Sequence, residues 1–164
     1  MLQKKICMLG SFAVGKTSLV RRYVEGIYSE AYHTTVGVKV DKKVMHLDAT
    51  EVTLVLWDIY GEDEFQKIRW TYLRGSAGYL LVADGTRRAT LEKALSLEQR
   101  VREEVGDIPF VFVVNKSDLV QEWQLDPTLQ AQFTLKNWSI LHSSAKTGEN
   151  VEAAFQQLTR KMIP

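Results

Sequence analysis

Residues 10–17 read Gly10-Ser11-Phe12-Ala13-Val14-Gly15-Lys16-Thr17, the pattern G-x-x-x-x-G-K-[ST]. Its glycines let the backbone bend so that successive N–H groups point inward at phosphate oxygens. An apolar run, Ile6 to Leu9, precedes the pattern, and a helix-like run, Thr17 to Val24, follows it. That strand–loop–helix context is the one the motif requires. The positive end of the helix dipole adds to the attraction for an anion. Lys16 is placed to reach the outer phosphates, and the Thr17 hydroxyl to ligate the Mg²⁺ that accompanies them. Ala13, Val14, Gly15, Lys16, Thr17 and Ser18 are therefore candidate nucleotide-binding residues; the bland alternative is a glycine-punctuated strand-to-helix turn.

A second group suggests which base is read. Asn115-Lys116-Ser117-Asp118 follows the apolar run Phe110–Val114. A carboxylate at Asp118 can accept from the ring N–H and the 2-amino group of guanine. Adenine has a lone pair at the first of these places and no amino group at the second, and a site left with an unpaired buried group discriminates by ~10⁴–10⁵. The stem of Lys116 can cover one face of the base. Ser143-Ser144-Ala145-Lys146 follows the last apolar run, where the Ala145 N–H is a candidate donor to the guanine O6. Asn and Asp are also common turn residues, so the tetrapeptide alone is only moderately specific.

A third group would handle the metal and the terminal phosphate. Trp57-Asp58-Ile59-Tyr60-Gly61-Glu62 closes a strand-like run. Asp58 there can hold Mg²⁺ through its water shell, or serve as a helix N-cap, and the Gly61 N–H can approach the terminal phosphate. Thr34-Thr35 lies in a polar segment, where a hydroxyl can complete the magnesium shell.

The elements that must position these groups follow from periodicity. Val38–Leu47 and Val52–Trp57 flank Asp48-Ala49-Thr50 as a hairpin. Further buried strands are expected at Gly78–Ala83, Phe110–Val114 and Trp138–His142. Leu91, Ala94, Leu95, Val101 and Val105 form one helical stripe. Val151, Ala154, Phe155, Leu158 and Met162 form another, read as core rather than a partner face. Strands alternating with helices imply an α/β, doubly wound, six-stranded, mostly parallel sheet with one antiparallel edge strand and helices on both faces. Ligands of such sheets lie beyond the carboxyl ends of the strands. A length of 164 residues suits one domain, 1–164.

Composition narrows the class of partner. A formal net charge of +1 gives no reason to expect nucleic-acid binding. The single Cys7 excludes a disulfide framework and fits core packing in a reducing, cytoplasmic setting. No apolar stretch approaches the ~20 residues that span a bilayer. The last residues, Lys161-Met162-Ile163-Pro164, hold no cysteine, so no membrane anchor is expected in this chain.

The motifs, in this order, resemble those of Ras-superfamily small GTPases, and within them the Rab family; the similarity spans essentially the whole chain. Gly10–Thr17 matches the phosphate loop of that P-loop NTPase fold, Thr35-Val36-Gly37-Val38 resembles the first switch T-I-G-V, and Asp58–Gly61 resembles D-T-A-G. Asn115–Asp118 and Ser144–Lys146 match the guanine motifs, Tyr72-Leu73-Arg74-Gly75 resembles Y-Y-R-G, and Tyr28 matches an aromatic that leans edge-on over the base. The resemblance implies a monomeric molecular switch that binds GTP and GDP with Mg²⁺, the metal held by Thr17, Thr35 and Asp58. It implies hydrolysis at Gly61, Glu62 and Lys16. It also implies effector, exchange-factor and activating proteins that engage two switch segments, about 29–38 and 61–73. Location would be cytoplasmic, or membrane-peripheral through a tail or partners.

Departures from the family bear on catalysis. Glu62 stands where the family's catalytic Gln orients the attacking water. Phe12 replaces a small residue, Ile59-Tyr60 replaces Thr-Ala, and Val40 replaces the Phe that joins tryptophan and tyrosine (here Trp57 and Tyr72) in an effector-facing trio. Two functions stay open: a slowly hydrolysing switch, and a nucleotide-binding interaction module held in one state. An ATP-using phosphoryl transferase is opposed by Asn115–Asp118. His33, His46 and His142 share no ligand spacing. Trp70, Trp123 and Trp138 are read as packing or partner surface, and Arg21-Arg22 and Arg87-Arg88 as solvated helix-face charges.

Overall fold

Along β1 (Leu2–Gly10), Ile6 and Met8 turn to one side, Cys7 and Leu9 to the other, and all four are fully buried. A strand apolar on both faces must be covered on both faces, and that requirement organises the molecule. The structure is a computed structural model and describes residues 2–26, 38–59 and 70–164. The remaining strands are β2 (Val38–Leu47), β3 (Thr50–Ile59), β4 (Gly78–Asp84), β5 (Phe110–Asn115) and β6 (Ile140–His142). They form one sheet in the order β2-β3-β1-β4-β5-β6. Every neighbouring pair is parallel except the edge pair β2–β3, which meets across a two-residue turn at Asp48-Ala49.

Helices α1 (Lys16–Glu25) and α4 (Val151–Met162) cover the Ile6/Met8 face with Leu19, Val20, Tyr23, Ala154, Phe155 and Leu158. Helices α2 (Arg88–Glu104) and α3 (Pro127–Leu135) cover the Cys7/Leu9 face with Leu91, Ala94, Leu97, Val101, Leu129 and Phe133. The chain thus leaves β1 toward one face and the adjacent β4 toward the other. The loops after these two strands diverge and leave a crevice at the carboxyl edge, the usual ligand position in such sheets.

Strand β3 runs longer than expected, taking Thr50 out of the turn and reaching Ile59, and two further elements differ from the sequence expectation. The last strand begins at Ile140, not Trp138. The Trp138 ring packs 5.1–5.3 Å from those of Phe110, Phe112 and Phe133, and the Trp138 backbone N–H donates to the Phe133 carbonyl at the end of α3. Aromatic packing and the helix cap therefore hold Trp138 ahead of the ladder. Helix α3 has no long apolar stripe, only Leu129 and Phe133 one turn apart. Its start is set instead by Asp126, whose carboxylate accepts the Leu129 N–H at 2.7 Å, and by Pro127 in the first turn. Among the described residues no helix is long and apolar enough to cross a membrane.

Candidate functional site

The phosphate loop is bent by residues in left-handed conformations, Ala13 at φ +59° and Gly15 at φ +100°. Glycine is needed at both ends by close approach. A Cβ on Gly10 would lie 2.2 Å from the Val82 carbonyl oxygen, and one on Gly15 the same distance from Asn115 Nδ2. Gly15 caps α1 with no side-chain hydrogen bond, so the first-turn N–H groups stay available to an anion.

Lys16 doubles back over this loop, its ammonium 3.5 Å from the Gly10 carbonyl oxygen and its side chain buried. Burial pushes the ammonium down to about 8, and the charge of Asp58 opposes that shift. Such a cation gains most from an anion that enters beside it. Thr17 donates its hydroxyl to Asp58 Oδ2 at 2.5 Å. Burial raises the Asp58 carboxyl above the ordinary range, against the pull of Lys16 and Thr17. A hydroxyl and a carboxylate that meet beside the phosphate loop suit a hard divalent cation that takes its other oxygens from phosphate and water. No cluster of three His, Cys, Asp or Glu able to hold a metal occurs among the described residues. A Thr hydroxyl beside one carboxylate fits Mg²⁺, which keeps several water and phosphate oxygens.

The base-reading loop is built across the same crevice. Asn115 donates from Nδ2 to the Val14 carbonyl at 3.0 Å, so this loop and the phosphate loop are joined directly. Its Oδ1 accepts from the Ser143 hydroxyl at 3.2 Å and from the Ala145 N–H at 3.3 Å. The sequence expectation aimed that N–H at guanine; in the structure it is directed to Asn115. Asp118 accepts from the Ser144 hydroxyl at 2.7 Å, which fixes its carboxylate plane. Gly15, Ser18, Asn115, Lys116, Asp118, Leu119, Ala145 and Lys146 line one cavity. Lys116, at φ +70°, places its ammonium 2.8 Å from Asp84 Oδ2, an ion pair outside hydrogen-bond geometry. It also donates to the Ala13 carbonyl at 3.4 Å.

Residues 5–164 match the model of the Ras family. The chain belongs to that family. It is 33% identical over 169 residues to the human Ras-related protein Rab-32, covering 97% of this chain and 74% of that one. It is 31% identical over 160 residues to the GTP-binding protein ypt1 of Schizosaccharomyces pombe, covering 96% and 79%. Rab-4A of Rattus norvegicus is similar at 31% over 161 residues, covering 97% and 74%. The chain is a Rab-like small GTPase with a P-loop, and its sheet is the α/β fold of that family.

Two arginines of this Ras-family chain, expected as solvated helix-face charges, instead brace loops. Arg22, on α1, donates to the carbonyls of Lys146 and Thr147, both at 3.2 Å, and so braces the loop after Ser144–Lys146. Arg87 donates to the carbonyls of Phe12 and Ala13. Neither is only a solvated charge, whereas Arg21 pairs with Glu25, and Arg88 with Glu92 and Asp126, as helix-face residues do. Close packing also requires glycine at Gly85, two residues before Arg87, where a Cβ would lie 2.1 Å from the Trp123 ring. That ring also lies 5.3 Å from His142, so Trp123 is packing beneath the base-reading loop. Trp57 is half-buried, with Tyr72 at 6.1 Å and the Lys5 ammonium 3.7 Å above its ring, while Val40 is exposed. Cys7 is buried with its thiol pushed up by burial, as a core residue. Tyr28, Thr35, Gly61 and Glu62, with His33 and Tyr60, lie outside the described residues.

Proposed function

We propose that residues 1–164 form one G domain that selects guanine nucleotides, holds them with Mg²⁺, and turns GTP over slowly. The reading rests on one convergence: the buried Lys16, the Thr17–Asp58 pair at 2.5 Å, and the Asn115–Asp118 loop joined to Val14, all at one crevice. Lys16 offsets phosphate charge, and N–H groups of Ala13 to Ser18 surround the phosphates. Asp118, set by Ser144, reads the two guanine donors, while Lys116 flanks the base; Ala145, Lys146 and Tyr28 complete its surroundings. Thr17 holds the metal in both nucleotide states, Thr35 only with a terminal phosphate, and Asp58 mainly through water. Held there, Mg²⁺ would supply positive charge that offsets the outer phosphates.

In this chemistry the protein mainly positions water and stabilises spreading negative charge. An ionised Glu62 accepts from the water but cannot donate to the phosphoryl group as an amide does. Its charge also adds repulsion toward that group, ~4 kcal/mol at 4 Å per unit charge at an effective dielectric of 20, before Mg²⁺ and Lys16 offset it. Phe12, bulkier than the family's residue there, would crowd the approach of a partner's arginine, a contact worth ~10³–10⁵ in rate. Effector, exchange and activating proteins engage the two switch segments and the Trp57–Tyr72 patch. The protein acts as a monomer in the cytoplasm or at membranes reached through partners.

The test is single-turnover hydrolysis by the wild type, Glu62→Gln and Phe12→Gly, with the nucleotide released from denatured wild type identified alongside. Both variants are expected to be faster, and the wild type to release mostly GDP. A wild type that is already the fastest makes Glu62 a working catalytic group and overturns slow turnover. GTP as the resident nucleotide, with no turnover, favours an interaction module held in one state.

A further inference from the structure

A trans peptide places its C=O and the following N–H on opposite sides of the chain. Whatever fixes a run of carbonyls on one side of a loop therefore aims the next N–H groups to the other. Arg87, the N-cap of α2, meets the phosphate loop from the side of the β4–α2 connection. Its guanidinium donates to the Phe12 carbonyl at 3.0 Å and to the Ala13 carbonyl at 3.2 Å. The first bond turns the Ala13 N–H away from Arg87, and the second does the same to the Val14 N–H. Asn115, on the Val14 carbonyl, treats the Gly15 N–H likewise. Three successive amides are thus turned away from these side-chain donors and left for an anion. Ala13 pays for this with a left-handed backbone that side-chain-bearing residues adopt only under restraint.

The restraint is charged and partly buried. Asp84, fully buried at the end of β4, spends Oδ1 on the Thr86 N–H and hydroxyl, at 2.8 and 2.6 Å. Its Oδ2 lies 2.8 Å from the Lys116 ammonium and 3.9 Å from the Arg87 guanidinium. Both cations also reach the Ala13 carbonyl. One carboxylate therefore ties the base-reading loop, the β4–α2 loop and the phosphate loop to a single point. A guanidinium suits the task because its rigid fork presents two donors to two adjacent carbonyls with less ordering than a flexible ammonium needs.

We propose that Arg87 is a positioning residue for phosphate recognition, fixing the Phe12 and Ala13 carbonyls outward so that the phosphate loop stays open as a cradle. The proposal rests on residues 13–18 being the nucleotide phosphate site. Its test compares wild type, Arg87→Ala, Arg87→Lys and, as a helix-face control, Arg88→Ala. The measurements are GDP release rate, the ³¹P resonance of the bound β-phosphate, and selectivity for GDP over ADP. Loss of a charged donor to two carbonyls should speed GDP release by about tenfold in Arg87→Ala. The β-phosphate resonance should move, selectivity for guanine should stay, Arg87→Lys should fall between, and Arg88→Ala should match wild type. GDP release by Arg87→Ala within twofold of wild type overturns the proposal and leaves the site reading intact. Guanine selectivity lost in step with affinity also overturns it, since the whole site would then have loosened. A wild type that binds no GDP removes the site reading, and the proposal with it.

Discussion

Asp118→Asn changes one atom of the base-reading loop and little of its shape. The Ser144 hydroxyl, 2.7 Å from Asp118 Oδ1, can still donate to an amide oxygen, so the side chain keeps its orientation. The chemistry toward the base changes. The carboxylate accepts twice, from the ring N–H and the 2-amino group of guanine. The amide accepts once and sets its own N–H against the second donor. Hydrogen bonds to a charged partner contribute roughly 1.5–3 kcal/mol each, and a neutral one about half as much. Losing one such bond and weakening the other should cost about 3–4 kcal/mol, or ~10²–10³ in affinity for both GDP and GTP. A purine with a carbonyl in place of the 2-amino group, as in xanthine, meets the amide's one acceptor and one donor, whereas the carboxylate sets an acceptor against that carbonyl, so XDP affinity should rise. Displacement of a fluorescent GDP by GDP, XDP and ADP measures all three. If Asp118→Asn holds GDP within threefold of wild type, or ADP competes with GDP in wild type, Asp118 does not read guanine.

Gly15→Ala should lower thermal stability, by roughly 1–3 kcal/mol, because the new methyl must displace Asn115 from the Val14 carbonyl at a left-handed backbone; an unchanged melting temperature would contradict this packing. Lys16 should link nucleotide binding to pH. Its folded value of about 8, against an ordinary 10.5, means the unfolded chain holds more protons between these values, so this group's contribution to nucleotide-free stability rises with pH through that window. Phosphate stabilises the charged form, so GDP binding at pH 9 should take up a proton; calorimetry in two buffers of different ionisation enthalpy reads it, and no uptake refutes it. Thr17→Val should remove the Mg²⁺-dependent part of both GDP and GTP affinity, whereas Thr35→Ala should spare GDP. Equal effects of Thr35→Ala on the two nucleotides would end that division of roles.

The phosphate loop was legible because its chemistry is local. Gly10, Gly15, Lys16 and Thr17 lie within one turn of chain, and their spacing alone determines which atoms meet. The sheet was legible for a similar reason: unbroken apolar runs at Gly78–Ala83 and Phe110–Val114 admit only strands covered on both faces. Helix α3 left a weaker trace, since its cap, Asp126-Pro127, precedes only two buried side chains. Trp138 read as strand because an aromatic in an apolar run fits a ladder as well as a cluster; only the rings of Phe110, Phe112 and Phe133 decide between them.

Other features required the folded chain. Asn115 meets Val14 from 101 residues away, and Arg87 meets Phe12 from 75. No periodicity encodes such a partner, because a carbonyl acceptor has no residue type and any sequence would offer one. What selected Arg87 over Arg88 was the direction each side chain takes at the start of α2, one toward the Phe12 and Ala13 carbonyls and the other along the helix toward Glu92 and Asp126. The sequence thus determined which groups could handle phosphate and guanine. The tertiary structure decided which neighbours hold those groups in place, since long-range contacts depend on where the sheet brings its loop ends together.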